Sequence, residues 1–500
     1  MGLFALQREQ EDRRRQLVVR NGSAATVNKR EDSAFKQVGD SQNGETSICS
    51  TPYLPEEIWR HIHSLMSMRD AARAACLSHA FLRSWRCHPK LTLDYNTLVP
   101  MGCFGNYSGK IDSILRNHSG VGLKTLQLCL DDDSTTFPYV DGWLQIAVTP
   151  GVEELILVLH KKYNFPCSLL SGGVENSIRY IRLHSCVFRP KVEAGPLRSL
   201  TSLHLQSVCI TGDELECFLS NSLALEKLDI FSCDEIIFLK IPGVLQQFSS
   251  LSVESCWNLQ GIESKAPNLS YIALHSHGIK FSVGNASQMK DLDMTRANIV
   301  RYARAELPSM MPNLERLTLW SNEEVVNTPM LPTKFLYLKH LTISLISSRA
   351  FSPSYDYFSL VSFLDACPSL ETLFLDVSQK LMEHESVFGG SPLRQRTESR
   401  LDFLKSVKIV GFSTAKGLVE LTCYIVKNAV SLEHLVLDTL CVFGTRCSNK
   451  NIRPCRPMSK TLLEEAFRTV TAIRTYIKDE VPPAAKLTVV EPCARCYSLG

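Results

Sequence analysis

Cys493 and Cys496 stand in CxxC spacing, which can hold half of a tetrahedral zinc site or close a redox disulfide. Zinc needs two further thiolate or imidazole ligands at matching distance, and the chain has no second CxxC and no HxxxH pair. Ordinary thiols are the expectation. The run Gly105-Asn106-Tyr107-Ser108-Gly109-Lys110-Ile111 has the glycines and lysine of a phosphate-cradling loop. Three residues rather than four separate its glycines, however, and Ile111 stands where a hydroxyl should bind magnesium. His384-Glu385 opens a zinc-peptidase pattern that no second histidine closes. The thirteen histidines are scattered, and spacing alone assembles no nucleophile with a base and its orienting group. No catalytic residue, metal or cofactor is therefore expected. The stretch Cys441–Lys460 carries Arg446, Lys450, Arg453, Arg456 and Lys460 without one acid. Binding of a phosphate-bearing ligand or RNA is one reading; an exposed connecting loop, suggested by Pro454 and Pro457, is the other.

The scaffold that would position any site must be large. Five hundred residues exceed the roughly 300 at which single hydrophobic cores stop growing, so the chain is multi-domain or built from repeats. With 44% hydrophobic residues it is not disordered as a whole, and a net charge of +3 gives no field that would drive it to nucleic acid or an anionic membrane. No apolar run approaches the ~18–20 residues that span a bilayer. Arg8 to Arg15 interrupt the place of a secretory apolar core, and Leu6 breaks the myristoylation pattern that Gly2 begins. The eighteen cysteines accordingly read as reduced thiols of a cytoplasmic or nuclear protein. Residues 1–50, with eight basic and seven acidic residues and no periodicity, read as a disordered polar tail.

Order begins at Leu54. Pro55 sits at a first helical position, Glu56 and Glu57 follow in the first turn, and Ile58, Ile62 and Leu65 share one helical face as far as about Met66. A second helix is expected from Asp70 as N-cap through Ala71–Cys76, with Phe81 and Trp85 one turn apart beyond it. About forty residues in such helices bury little core alone and make sense with a shared apolar surface. This block resembles an F-box, whose pattern starts at Leu-Pro and ends on an apolar-Ser/Cys-x-x-Trp helix. The matching positions are Leu54, Pro55, Ile58, Ile62, Met66, Met68, Leu77, Ser78 and Phe81, with Phe81 in place of the Trp and His79-Ala80 in place of a basic pair. The runs Arg69–Cys76 and Phe81–Pro89 are similar to those of grass F-box proteins with leucine-rich repeats.

The rest of the chain repeats itself. L-x-x-L-x-L recurs thirteen times, from Leu123-Leu126-Leu128 to Leu432-Leu435-Leu437, at a mean step of about 26 residues, within the leucine-rich range. Each L-x-L predicts a short parallel strand with its apolar pair turned inward and the intervening residues on a concave outer face. Cys186, Cys233 and Cys256, and Asn322 in another unit, follow the last strand apolar by three residues and are expected to satisfy backbone groups in the turn. On the concave face the pattern exposes His204 and Gln206, then Lys227, Asp229 and Phe231, then Glu254 and His275, then Arg316, Thr318 and Trp320. Phe231, Arg316, Trp320, His204 and His275 are the candidate contacts for a bound protein, since aromatics and Arg are the usual interface anchors.

Toward the C-terminus the steps widen to 32, 34 and 28 residues around a polar insertion at Gln379–Arg400. Leu404–Phe412, Glu420-Leu421, Asn428-Ala429 and Leu432-Glu433 resemble the FBD region of plant F-box proteins, with a helix from about Lys416 to Asn428 between two strands. The expected fold is α/β: a polar tail (1–50), a small all-helical F-box (51–95), a leucine-rich-repeat solenoid of horseshoe type with a parallel concave sheet (96–400), and FBD-like terminal repeats and cap (401–500). The resemblance implies a non-catalytic adaptor of a ubiquitin ligase. Leu54, Pro55, Ile58, Ile62, Leu77 and Phe81 would dock on a Skp-type adaptor, and through it on cullin and RING subunits, while the repeats hold a target protein. A repeat scaffold without ligase connection and a small-ligand receptor are the alternatives.

Overall fold

The structure, a computed structural model, describes residues 54–99, 107–130, 137–171, 173–190, 197–276, 279–346, 355–378, 384–394, 396, 399–440, 458–493 and 496. The expected tail of residues 1–50 and, apart from residues 458–460, the acid-free stretch lie outside the described residues. Pro55–Gly500 form one compact unit.

Its first elements are three short helices, α1 (Glu56–Ser64), α2 (Met68–Ala75) and α3 (His79–Arg86). Pro55 precedes α1 with φ −52°, and its carbonyl accepts the Ile58 and Trp59 amides. The cap of α2 differs from expectation. Ser67, not Asp70, is its N-cap: the Ser67 hydroxyl accepts the Asp70 amide at 3.1 Å and donates to the Asp70 carboxylate at 2.7 Å. Asp70 thus sits inside the first turn, where its charge complements the helix dipole and its side chain closes the cap from the other side. Ser78 caps α3 in the same way through the Phe81 amide. Met68 and Ala71 are buried, and Met68 sulfur accepts the Thr92 amide of the first strand, tying the helices to the sheet.

The strands, in chain order, are β1 (Lys90–Leu93), β2 (Thr125–Cys129), β3 (Glu154–Val158), β4 (Tyr180–His184), β5 (Ser202–Gln206) and β6 (Lys227–Phe231). Then come β7 (Phe238–Ile241), β8 (Ser250–Glu254), β9 (Gly261–Ser264), β10 (Tyr271–His275), β11 (Lys280–Val283) and β12 (Asp291–Thr295). The last six are β13 (Arg316–Ser321), β14 (His340–Ile346), β15 (Thr372–Ser378), β16 (Ser406–Val410), β17 (His434–Asp438) and β18 (Lys486–Val490). Fifteen of them form one sheet in the order β1–β6, β8, β10, β12–β18, and its pairs are parallel. All thirteen predicted apolar pairs fall on its strands in one register, so that Leu203 faces Leu228, Leu228 faces Leu251, and Leu251 faces Ile272. Because strand side chains alternate, this register stacks each leucine on the last and leaves the residues between on the opposite face. The leucine-rich solenoid expected from the repeat is the fold observed.

The sheet runs further than the repeat count. Leu91 and Leu93 start it and Leu487 and Val489 end it. Both strands lack the leading leucine of the template, His88 and Ala484 standing there, so the pattern search passes them by. The three-stranded sheet β11-β9-β7, on the return legs of consecutive repeats, was not expected either; its four-residue strands are too short to carry a periodic signal.

Four strands are followed at once by a serine in the left-handed region, Ser185, Ser207, Ser232 and Ser255, with φ between 51° and 55°. A buried cysteine follows three of them. Cys233 Sγ lies 3.5 Å from the Phe231 carbonyl and 3.7 Å from that of Leu205, and Cys256 Sγ 3.5 Å from the Glu254 carbonyl. The Cys233 and Cys256 thiols thus satisfy backbone carbonyls, as the spacing suggested. Burial pushes the Cys186 thiol up to about 12 and Cys256 up to about 11, which keeps both protonated and inert. Asn322 does not play this part. It is exposed, and the turn is instead held by Ser321, which donates to the buried Glu324 at 2.7 Å, while Glu324 accepts the Val300 amide at the start of a helix.

The helices on the outer side are α4 (Tyr95–Leu98), α5 (Tyr107–Asn117), α6 (Phe137–Ala147), α7 (Gly212–Ser220), α8 (Ile299–Met310), α9 (Val361–Ala366), α10 (Lys416–Asn428) and α11 (Lys460–Tyr476). The loop-like run ending at Ile111 enters α5, where Lys110 Nζ donates to the Leu98 carbonyl rather than facing an open cradle. α10 has the bounds the sequence suggested and buries Leu418, Val419, Leu421, Tyr424, Ile425 and Val426. The described part of the insertion is strapped to the body: the Val387 amide donates to the Thr414 carbonyl, and Arg394 reaches Asp356 and Glu420.

Candidate functional site

Two surfaces carry the sequence candidates. On the helical hairpin, α1 and α3 are joined by an edge contact between Trp59 and Phe81, ring centroids 4.7 Å apart, with His63, one turn further along α1, 5.3 Å from Phe81. Phe81 is thus half-buried in the unit's own packing, as is Ile62 in part, while Pro55 is exposed; Leu54 is half-buried. Ile58 is 44% exposed, Leu77 78% and Leu65 75%. So small a unit leaves three large apolar side chains in water, and each gains by being covered. Leu65 was missing from the candidate set, although the spacing Ile58-Ile62-Leu65 already placed it on that face.

The second surface is the concave face of the sheet, where the register lines residues up in rows. One row runs Lys227, Ser250, Tyr271, Asp291, Arg316; the next runs His204, Asp229, Ser252, Ala273, Asp293, Thr318. A third joins Gln206, Phe231, Glu254 and His275. The candidates do not converge on one point. His204 and His275 are three strands apart and Phe231 and Trp320 four, about 14 and 19 Å at ~4.8 Å per strand.

His204, His275 and Arg316 enter two charged clusters instead, and Phe231 and Trp320 belong to neither. His204 Nδ1 lies 2.6 Å and Lys227 Nζ 3.0 Å from the same Asp229 oxygen, with Tyr180 packed on the His204 ring at 4.9 Å. Burial pushes the Asp229 carboxyl up, but His204 and Lys227 outweigh it and hold it below its ordinary value. In the other cluster His275 Nε2 is 3.1 Å from Asp293 Oδ1, and Arg316 Nε 3.6 Å from Asp291 Oδ1. Burial pulls the His275 imidazole down, yet Asp293 and then Glu254 raise it above 6.5 overall. Sequence reading passed over Asp291, Asp293 and Tyr271, all at outward positions of L-x-L strands.

A folded-state pKa raised above the unfolded one gives stability that is present below pH 6.5 and lost as pH rises through the folded value. In Asp293→Asn the main raising partner is gone while burial remains, so the His275 midpoint should fall, read by ring NMR titration. An unchanged midpoint would show that Asp293 does not act on the imidazole. His384 packs on Tyr357 with Nε2 3.0 Å from the hydroxyl, and burial pulls it below its ordinary value. Cys493 and Cys496 bring their sulfurs to 3.8 Å, and among the described residues no cluster of three His, Cys, Asp or Glu could hold a metal. No described helix is long and apolar enough to cross a membrane.

Stacked L-x-L strands in one all-parallel sheet, with a three-helix unit before them, define a leucine-rich-repeat protein carrying an N-terminal helical module. The family described as At1g61320/AtMIF1, LRR domain, matches residues 114–494, and the chain belongs to that family of plant FBD-associated F-box and leucine-rich-repeat proteins. The FBD-associated F-box protein At1g61320 of Arabidopsis thaliana is 22% identical over 66% of this chain and 76% of its own length. A second Arabidopsis FBD-associated F-box protein, At5g53635, is 24% identical over 77% of this chain and 94% of its own. The F-box/LRR-repeat protein At5g02910 is 23% identical over 56% and 61%. These relatives are from Arabidopsis, so the narrower likeness to grass proteins is not part of what they show. A chain of the Drosophila Toll–Spätzle complex aligns at 12% identity over 64% of this chain and 50% of its own, with a TM-score of 0.27.

Proposed function

We propose that the chain is the substrate-recognition subunit of an SCF-type ubiquitin ligase and catalyses nothing itself. Residues 51–95 act as the F-box that docks on a Skp-type adaptor, and thereby on cullin and RING subunits. The solenoid of residues 96–400 holds the target protein, and the FBD-like residues 401–500 close its far end. Work of this kind belongs in the cytoplasm or nucleus. The observation that carries the reading is the exposed apolar surface of Pro55, Ile58, Leu65 and Leu77 on a three-helix unit in front of the repeats. Its support is the F-box named in the relatives At1g61320 and At5g02910.

The chemistry is proximity. Holding a target lysine near a conjugating enzyme turns a bimolecular encounter into an intramolecular one, with effective concentrations on the order of millimolar for short flexible tethers. The test is co-purification of a Skp-type adaptor with the full chain and with Leu54→Ala/Pro55→Ala. Each apolar side chain covered contributes ~1.5–3 kcal/mol, so the double variant should retain the adaptor many-fold less well. Equal retention by a variant of unchanged melting temperature would remove the assignment.

A further inference from the structure

The concave face holds a hollow of about 390 Å³, bounded by Lys227, Asp229, Phe231, Glu254 and Tyr271. The sequence makes the hollow. On β8, Ser250 lies between Lys227 and Tyr271, and Ser252 between Asp229 and Ala273, so the short side chains Ser250, Ser252 and Ala273 leave a low floor among longer neighbours. Phe231 and Tyr271 stand on the strands either side of β8 at diagonally opposite corners of the hollow, two strands and four residues apart, about 16 Å between their backbones at ~4.8 Å per strand and ~3.3 Å per residue. The volume is near the lower end of ligand pockets, which start at roughly 300 Å³, and has room for one side chain of a bound protein.

Its charge selects the occupant. Lys227 is already paired with Asp229, and Asp229 is shared with His204, so neither is free for a ligand. Glu254 differs. Burial and the charge of Asp293 push its carboxyl up against the single pull of His275, so the site leaves that charge under-compensated. An anion would meet the like charge of Glu254. An apolar side chain would desolvate Glu254 and give it no partner. A cation meets a carboxylate, with Phe231 directly across from it on the next strand as an aromatic ring that attracts it.

We propose that this hollow receives one basic side chain, arginine or lysine, of an extended segment of the bound protein, with Glu254 as its counter-charge and Phe231 and Tyr271 as its walls. The inference deepens the reading above, since it takes the concave face as the target-binding surface.

The probe is an immobilised library of hexapeptides degenerate at every position, incubated with the full chain, the retained peptides being sequenced. Arginine or lysine should be enriched about tenfold over leucine at one position, and the same library shows which of the two is preferred. Glu254→Gln, which removes the charge, and Ser252→Phe, which fills the floor, should each abolish the enrichment at unchanged melting temperature. The absence of any basic enrichment with the unmodified chain overturns the proposal, and that arm does not depend on how a variant folds. Enrichment that survives either substitution in a folded variant overturns it as well. Adaptor co-purification separates the two readings: a chain that holds the adaptor without basic preference sinks the pocket alone, whereas basic preference without the adaptor sinks the ligase role alone.

Discussion

Leu65→Asp combined with Leu77→Asp is expected to weaken adaptor binding by about 10²–10⁴-fold while leaving the melting temperature of the chain within a degree or so. Both side chains stand mostly in water in the free chain, at 75% and 78% exposure, so charging them takes nothing from its own core. In a complex that covers them, each forfeits the ~1.5–3 kcal/mol of a buried leucine and places a carboxylate where an apolar partner should lie. The pair is a sharper probe than Phe81, whose ring packs on Trp59 and His63 and whose loss would disturb the helices themselves. Adaptor affinity measured by calorimetry, with thermal unfolding of the same samples, reads both halves. Full affinity in the double variant would show that this face is not where an adaptor sits.

The repeat body was legible because one rule repeats. An apolar pair two residues apart fixes a strand and its inward face, and thirteen copies fix their neighbours, so Leu126 to Leu437 could be placed without coordinates. The outward positions were legible in principle for the same reason. Once the leucines are aligned, Asp291 and Asp293 fall in the rows of Lys227 and Asp229, yet a reading that sought aromatics and cations skipped them. Which carboxylate pairs with which base was not legible. That depends on side-chain reach across strands: His204 pairs with Asp229 one strand away, while His275 leaves Glu254 to face Asp293. The cap at Ser67 was missed because Asp70 is an equally good capping residue, and only the geometry of both together decides. Least legible was the C-terminal strap. Its contacts join residues 26 and 38 positions apart and no repeat period announces them.

That strap yields the other large expected effect: Arg394→Ala should destabilise the fold by about 2–3 kcal/mol. The Glu420 side chain is fully buried on α10, and its carboxylate accepts the Arg394 backbone amide and Nε, each at 2.8 Å, with Nη2 at 2.5 Å. The other edge of the guanidinium takes both oxygens of Asp356 at 2.8 Å, and its plane lies 4.7 Å from the centre of the Phe358 ring. Alanine keeps the backbone bond but removes the cation, leaving a buried carboxylate with a single donor. Breaking such a pair usually costs about 3–5 kcal/mol; the lower figure follows because Arg394 is 46% exposed and water can enter beside it. Adding Glu420→Gln should restore part of the loss, since a neutral amide tolerates burial better than an unpaired charge. Denaturant midpoints of the two single variants and the double variant form the cycle that measures this. Additive losses would mean that Arg394 acts through Asp356 and Phe358 alone, and that Glu420 finds its compensation in the backbone amide.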